Sequence, residues 1–343
     1  MRKLLNILYV TTPESYLTKD GENVVVKLKD EETFRIPIHN LEGIICFGYM
    51  GASPGLMGMC AEKNVGLSFV SQSGRFIGRF QGKVTGNVLL RRKQYRLADS
   101  EEGSADLARI FIMGKIANCR NVMQRALRDH SQEINASAIE ESSTILQTKM
   151  KSINRVKSLD QLRGYEGEAA LTYFASLDHL ILHQKAEFFF HERSRRPPLD
   201  NVNAMLSFVY MLLMHDVQSA LETVGLDPYV GFLHRDRPGR ASLALDLMEE
   251  FRPYLADRLV LSLINRKQVS PNGFIKNDAG GVIIKEDTRK EIITAWQKRK
   301  QETILHPFLS ENIPVGLLPY AQALLFARFL RGDLDNYPVF IMK

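Results

Sequence analysis

The hydrophobic period of this chain changes once, near Leu89-Leu90-Arg91-Arg92-Lys93-Gln94-Tyr95-Arg96, and that single change restricts it to folds built from two unlike parts. Ahead of it, short apolar and β-branched runs alternate with turn residues. Asn6 to Thr11 is followed by the hairpin signal Lys19-Asp20-Gly21-Glu22, and Asn23 to Lys29, Thr33 to Ile38 and Gly43 to Phe47 continue the pattern. A small helix over about Pro54 to Lys63 leads to Val65 to Val70 and, past Gly74, to Arg75 to Phe80. Strands this short at this spacing predict a sandwich or β-roll. Behind the change, apolar residues recur every three or four positions, which predicts helices over 105–128, 136–152, 158–176, 178–191, 200–222, 241–265, 287–304 and 316–331. Asp278-Ala279-Gly280-Gly281, between apolar residues within Asn272 to Ile284, predicts a small hairpin inside the helical part. The fold class expected is therefore α+β: an N-terminal β-sandwich or β-roll domain over 1–90, a linker over 91–104 and a larger all-α domain over 105–343.

Charge follows the same division. The 343 residues carry 45 Lys+Arg and 39 Asp+Glu, a net charge of +6, and the whole surplus falls in residues 1–97, which hold 14 basic against 8 acidic side chains. A pI near 9.1 permits a polyanionic partner, but any affinity of the helical part for nucleic acid has to come from local clusters. Cys46, Cys60 and Cys119 are odd in number, widely spaced and without a C-x-x-C pair. That argues against a disulfide framework and a cysteine zinc site, and leaves buried thiols as the expectation. No apolar run approaches the roughly 20 residues of a bilayer span; Met205 to Met214 stops at His215 and Asp216. The start has no leader-like apolar region, so a cytoplasmic protein with no membrane partner is expected. There is neither a G-x-x-x-x-G-K-[ST] loop nor a G-x-G-x-x-G after a strand, so phosphodiester chemistry here would be hydrolysis or a near-neutral exchange of one ester for another.

Three segments bring together residue types that such chemistry needs. Ser158-Leu159-Asp160-Gln161 is a capping-box pattern opening a helix, and along that helix Glu166 falls on the stripe of Leu162, Ala169, Ala170 and Tyr173. A carboxylate on an apolar face needs a partner, and an ion pair with an Arg from another helix is the ordinary one. Gly164 and Gly167 bracket it, each costing about 1 kcal/mol in a helix interior relative to Ala, which predicts a close approach to the backbone. The second segment, Gly225 to His234, is apolar and turn-rich and delivers a histidine at its end. A basic loop with Arg235, Arg237 and Arg240 then leads to a helix on which Asp246, Glu249 and Glu250 share one face, opposite Leu243, Leu247, Phe251 and Tyr254. From spacing alone that acidic row is a solvated surface or the wall of a cleft. In the third segment Arg193, Arg195 and Arg196 precede Pro197-Pro198, and Asp200 is placed to cap a long apolar helix. A Glu/His/Glu set suits Mg²⁺ or Mn²⁺ with positions left for phosphate oxygens, and arginines beside it can pair with phosphate bidentately.

Gly164-Tyr165-Glu166-Gly167-Glu168-Ala169-Ala170, the run from Arg193 to Ala204, and Gly231-Phe232-Leu233-His234 followed by Leu243 to Pro253 jointly resemble the CRISPR-associated integrase/endonuclease of spacer acquisition, the first of the Cas proteins, and most closely its subtype I-C members. The resemblance extends over essentially the whole chain through the β-then-α layout. It implies a metal site, for Mg²⁺ or Mn²⁺, made by Glu166, His234 and a carboxylate of the 246–250 helix. Many relatives carry Asp at that last position, where this chain has Glu249, with Asp246 a turn earlier as an alternate ligand or a support behind it. Which of the two touches the metal is left open. The resemblance also implies a homodimer formed largely through the β domain, a complex with the small second Cas protein, and double-stranded DNA as substrate, both the spacer precursor and the CRISPR repeat. Arg235, Arg237 and Arg240 are then the candidates for phosphate contacts near the metal, with Arg193, Arg195 and Arg196 further off. A noncatalytic DNA-binding scaffold of the same architecture, in which the Glu and His are structural, is the alternative reading.

Overall fold

A computed structural model of the chain describes residues 5–48, 50–72, 76–80, 82, 88–156 and 158–342; the first four residues and the turn expected at Gly74 lie outside these. The chain divides into two compact units, Met1–Thr85 and Gly86–Lys343.

In the first unit the chain runs through β1 (Asn6–Val10), β2 (Ser15–Asp20), β3 (Asn23–Leu28), β4 (Glu31–Pro37), β5 (Leu41–Phe47), β6 (Gly51–Ala52), α1 (Pro54–Lys63), β7 (Gly66–Val70) and β8 (Phe76–Phe80). The hairpin signal produces the β2–β3 pair, in which Asp20 faces Asn23 and Gly21 takes a φ of 58°, a left-handed backbone that glycine adopts without a side-chain clash. Two four-stranded sheets result, in the orders β1-β5-β7-β8 and β4-β3-β2-β6. Leu17, Val24 and Ile38 from one side, Val10, Ile44 and Leu67 from the other, and Leu56 and Cys60 of α1 form one buried apolar cluster. The expected sandwich is therefore present, with a helix helping to close it. All three cysteines are buried free thiols, and burial pushes Cys46 up to about 12, far from a reactive thiolate.

The second unit contains α2 (Val88–Ala98), α3 (Glu101–His130), α4 (Ala136–Ser152), α5 (Leu159–Ala175), α6 (Asn201–Thr223), α7 (Ser242–Met248), α8 (Arg258–Asn265), β9 (Phe274–Lys276), β10 (Val282–Ile284), α9 (Glu286–Gln301), β11 (Thr303–Leu305), β12 (Asn312–Pro314) and α10 (Leu318–Arg331). The expected hairpin is the β9–β10 pair. Four expectations are corrected. Residues 91–104, read as a linker, are helical in α2 and the start of α3, with only a short turn capped by Ser100 between them. The helix expected over 178–191 reduces to a 3₁₀ turn, Leu177–Leu180, followed by irregular chain. The single helix expected over 241–265 is three pieces: α7, a π-helical segment Arg252–Asp257, and α8. Pro253 explains the break, since it has no N–H to give the ladder and its ring crowds the carbonyl a turn back. The helix expected to reach 304 ends at Gln301, and the β11–β12 hairpin follows.

Against the expectation that the apolar run stops at His215 and Asp216, α6 continues through both and by length and composition would suffice to cross a bilayer; two-thirds of its apolar window is buried inside the unit. It starts where Asp200 accepts the Asn203 N–H at 2.7 Å. Its interior carries Asp216, whose Oδ2 lies 2.7 Å from Lys300 Nζ, a buried ion pair that a packed helix can satisfy.

Candidate metal centre

The capping box forms: Ser158 Oγ accepts the Gln161 N–H at 3.2 Å, and the Gln161 side chain accepts the Ser158 N–H. Fixing the first turn sets the phase of α5, so that Leu162, Ala169 and Tyr173 are buried and Glu166 stands among them. Its partner is a lysine from another helix. Lys115, on the buried side of α3 beside Phe111, Ile112 and Cys119, donates from Nζ to Glu166 Oε1 and lies 2.8 Å from Glu249 Oε2. Burial by itself would lower the Lys115 pKa, but Glu249 and Glu166 outweigh it and raise it above an ordinary amine.

His234 is placed by Asp246. That carboxylate, wholly buried, accepts the backbone N–H groups of Phe232 at 2.6 Å, Leu233 at 3.0 Å and His234 at 3.0 Å, and pairs with His234 Nδ1 at 2.6 Å. An acceptor surrounded by donors puts a ring proton on Nδ1 and turns Nε2 toward Glu249. Gly231 makes this approach feasible, because a Cβ there would stand 2.7 Å from the Ser242 carbonyl carbon and 2.8 Å from Asp246 Oδ2. The loop is braced from behind by α2. Gln94, fully buried, donates to the carbonyls of Asp227 and Val230 at 2.8 Å each and accepts the Asp227 N–H at 3.0 Å.

Glu249, just beyond α7, is 1% exposed. Its Oε1 is 2.6 Å from Arg252 Nη1 and 3.9 Å from His234 Nε2. Burial pushes this carboxyl up, but Arg252, Lys115 and His234 outweigh it and hold it at about 2. The acidic row of the sequence is thus neither a solvated face nor a cleft wall. Its members separate inside the protein: Asp246 to the histidine loop, Glu249 to Lys115 and Arg252, and Glu250 to a pocket where Tyr337 Oη, the Phe340 N–H and Gln322 Nε2 donate to it. There burial raises Glu250 to about 8.

Glu166, His234 and Glu249 therefore come to one place from α5, the 225–241 loop and the end of α7. Two carboxylates and an imidazole Nε2 are donors of the kind that Mg²⁺ or Mn²⁺ accepts, and the Lys115 ammonium stands between the two carboxylates. With the ammonium there, no three His, Cys, Asp or Glu side chains among the described residues stand close enough to hold an ion as they are placed.

The glycines of α5 face open space. A Cβ at Gly164 or Gly167 would meet nothing within 4 Å, so helix packing does not require them, and Gly164 lines an open groove of about 560 Å³ with Ser152, Arg155, Val156, Gln161, Tyr165 and Glu168. The basic candidates divide. Arg195, Arg196 and Arg237 are exposed and Arg240 is half-buried. Burial, then the charge of Arg237, lowers the Arg240 pKa; Asp246 opposes this, while Arg195 and Arg252 act in the same direction as Arg237, so three other guanidinium groups bear on Arg240. Arg235 is exposed yet shares Asp160 with Arg163, each at 2.7 Å, in a strut that also holds the Leu233 carbonyl through Arg163 Nε at 2.7 Å. Arg193, expected at a phosphate, is taken up within the fold: it donates to Asn203 at 2.6 Å and Ser207 at 3.0 Å and lies over the Tyr210 ring. The sequence reading missed Lys115, Arg252 and Gln94. Lys115 carried the same signal as Glu166, a charge on an apolar helical stripe.

The family model described as CRISPR associated protein Cas1 matches residues 8–298. A relative, the CRISPR-associated endonuclease Cas1 of Chlorobaculum tepidum, is 50% identical over 343 residues, covering all of both chains. Casposase bound to integration product superposes with a TM-score of 0.85 at 21% identity, over 98% of this chain and 94% of that one. A chain of a Cas6-RT-Cas1–Cas2 complex gives a TM-score of 0.84 at 21% identity, over 100% of this chain and 37% of that one. At these identities the two structures speak for a shared fold. The family match and the full-length likeness together place this chain in the Cas1 family of CRISPR-associated proteins.

Proposed function

We propose that the protein is a divalent-metal-dependent DNA endonuclease and integrase that inserts short DNA fragments into a CRISPR array. The observation that carries this reading is the linkage of Glu166 to Glu249 through Lys115, with His234 Nε2 3.9 Å from Glu249, in a member of a family whose relative is named an endonuclease. Those three side chains would hold Mg²⁺ or Mn²⁺, which when bound supplies Lewis-acid polarisation of the scissile phosphate and offsets charge growing on its oxygens. Asp246 keeps the ring proton of His234 on Nδ1, so the ring presents Nε2. Arg252 keeps Glu249 ionised. Arg195, Arg237 and Arg240 bind neighbouring backbone phosphates, while Arg235 stiffens the histidine loop. In the reaction a 3′-hydroxyl of the incoming fragment loses its proton to solvent and forms a new P–O bond at the repeat end, the old P–O bond breaks, and the departing oxygen takes up a proton from solvent. With water as the attacking group the same site hydrolyses. The substrates are double-stranded DNA, as spacer precursor and as CRISPR repeat, and the working assembly is a homodimer with the small second Cas protein; the Cas1–Cas2 complex of the same fold supports that partner.

The test is strand transfer on repeat-bearing DNA, titrated with Mg²⁺ or Mn²⁺. Glu166→Gln, His234→Ala and Glu249→Gln are expected to lose on the order of 100-fold or more in rate while still binding DNA. Full activity in Glu166→Gln defeats the metal-site reading. Joint loss of DNA binding and stability in His234→Ala favours the scaffold reading instead.

A further inference from the structure

We propose that Lys115 is a resident cation of the metal centre: its ammonium holds Glu166 and Glu249 together in the metal-free protein and competes with the divalent ion for them. The inference rests on the metal-site reading above and adds a positioning residue to it. Lys115 Nζ bonds to Glu166 Oε1 and is 2.8 Å from Glu249 Oε2, so one side chain of α3 ties α5 to the end of α7. The lysine side chain is 8% exposed and Glu249 is 1% exposed, so neither charge could be left without its partner at small cost. Three carboxylates, Glu166, Glu249 and Asp246, gather here with two cationic side chains, Lys115 and Arg252, so removing the Lys115 charge leaves one cation among three carboxylates. Like charges a few ångströms apart repel strongly away from bulk water, so an ion entering among these carboxylates must displace the ammonium from at least one of them. A four-carbon stem allows that movement, whereas Arg252, fixed three residues from Glu249 on the same turn of chain, has less room.

The experiment is Mn²⁺ binding to the full chain without DNA, followed through the manganese electron-spin signal, together with thermal unfolding with and without Mn²⁺. Lys115→Gln removes the charge and keeps a donor toward one carboxylate, so it folds where Lys115→Met would not; Lys115→Arg keeps the charge. Lys115→Gln is expected to bind Mn²⁺ at least tenfold more tightly than the unaltered protein, to melt lower without metal, and to gain more in Tm from saturating Mn²⁺. Lys115→Arg should stay within about threefold of the unaltered affinity. Equal or weaker Mn²⁺ binding by Lys115→Gln, with the unaltered protein binding normally, overturns the inference and leaves the metal site standing. No manganese binding by any of the three proteins overturns both.

Discussion

At the scale of the residue, the site depends on carboxylates whose roles differ because their surroundings differ. Glu249 is held at about 2 by Arg252 and Lys115 against its burial, and Glu250, its neighbour in sequence, is raised to about 8 by burial with only neutral donors around it. Asp246 does neither job; it gathers backbone N–H groups. Asp246→Asn would turn one acceptor oxygen into a donor facing the Phe232, Leu233 and His234 N–H groups. It is expected to destabilise the fold by about 2–4 kcal/mol and to weaken Mn²⁺ binding by about 10–100-fold, because the histidine loses both its loop anchor and its tautomer. Denaturant unfolding and manganese titration of the same sample check the two effects. Glu166 was legible because a charge on an apolar helical stripe is visible in spacing. The burial of Asp246, Glu249 and Glu250 was not, since periodicity shows which residues share a face and says nothing of what packs against it.

At the scale of the element, the least expected contributor is α2, in chain read as a boundary and linker. Its Gln94 reaches the 225–234 loop through three hydrogen bonds and Arg91 adds one to the Gly225 carbonyl at 3.1 Å. Gln94→Ala leaves those backbone groups unpaired in a buried place. It is expected to cost about 2–3 kcal/mol in stability and to slow strand transfer more than it weakens DNA binding, as a rate and affinity comparison on one substrate will show. The helix expected over 178–191 failed for a related reason. Asn265 bonds both the Leu180 carbonyl and the Leu182 N–H at 2.8 Å, and Asp178 accepts the Phe190 N–H at 2.8 Å, so side chains from within and beyond the segment satisfy its backbone in place of a helical ladder. An apolar run with such distant partners gives no local sign of them. Pro253, in contrast, stands in the sequence as a visible breaker that the helix expected over 241–265 passed through, and the π turn it produces has no sequence sign of its own.

At the scale of the whole molecule, the change of period near residue 90 falls close to the division of the chain into two compact units after Thr85. The packing of the second unit also sets how it responds to pH. The folded Glu250 binds its proton up to about pH 8, well above the ordinary 4.5, so between those values the native state holds a proton that the unfolded chain has released. This contribution to stability is complete below about 4.5, falls as pH rises, and is gone above about 8. Glu250→Gln carries no such proton. Its unfolding free energy should therefore decline less steeply than that of the unaltered protein between pH 5 and pH 7.5, by about 1 kcal/mol per pH unit, as chemical denaturation across a pH series would measure.

The residues that close over Glu250 have one more consequence. Asn118, a single turn along α3 from Lys115, donates to the Phe340 carbonyl at 2.9 Å and accepts the Met342 N–H at 2.8 Å across more than 200 intervening residues. Closures that distant are slow to form, since the chain must surrender the most freedom before they are rewarded. On refolding, the helical circular-dichroism signal should return early and the capacity to take up manganese late, so that catalytic competence is the final thing the polypeptide acquires.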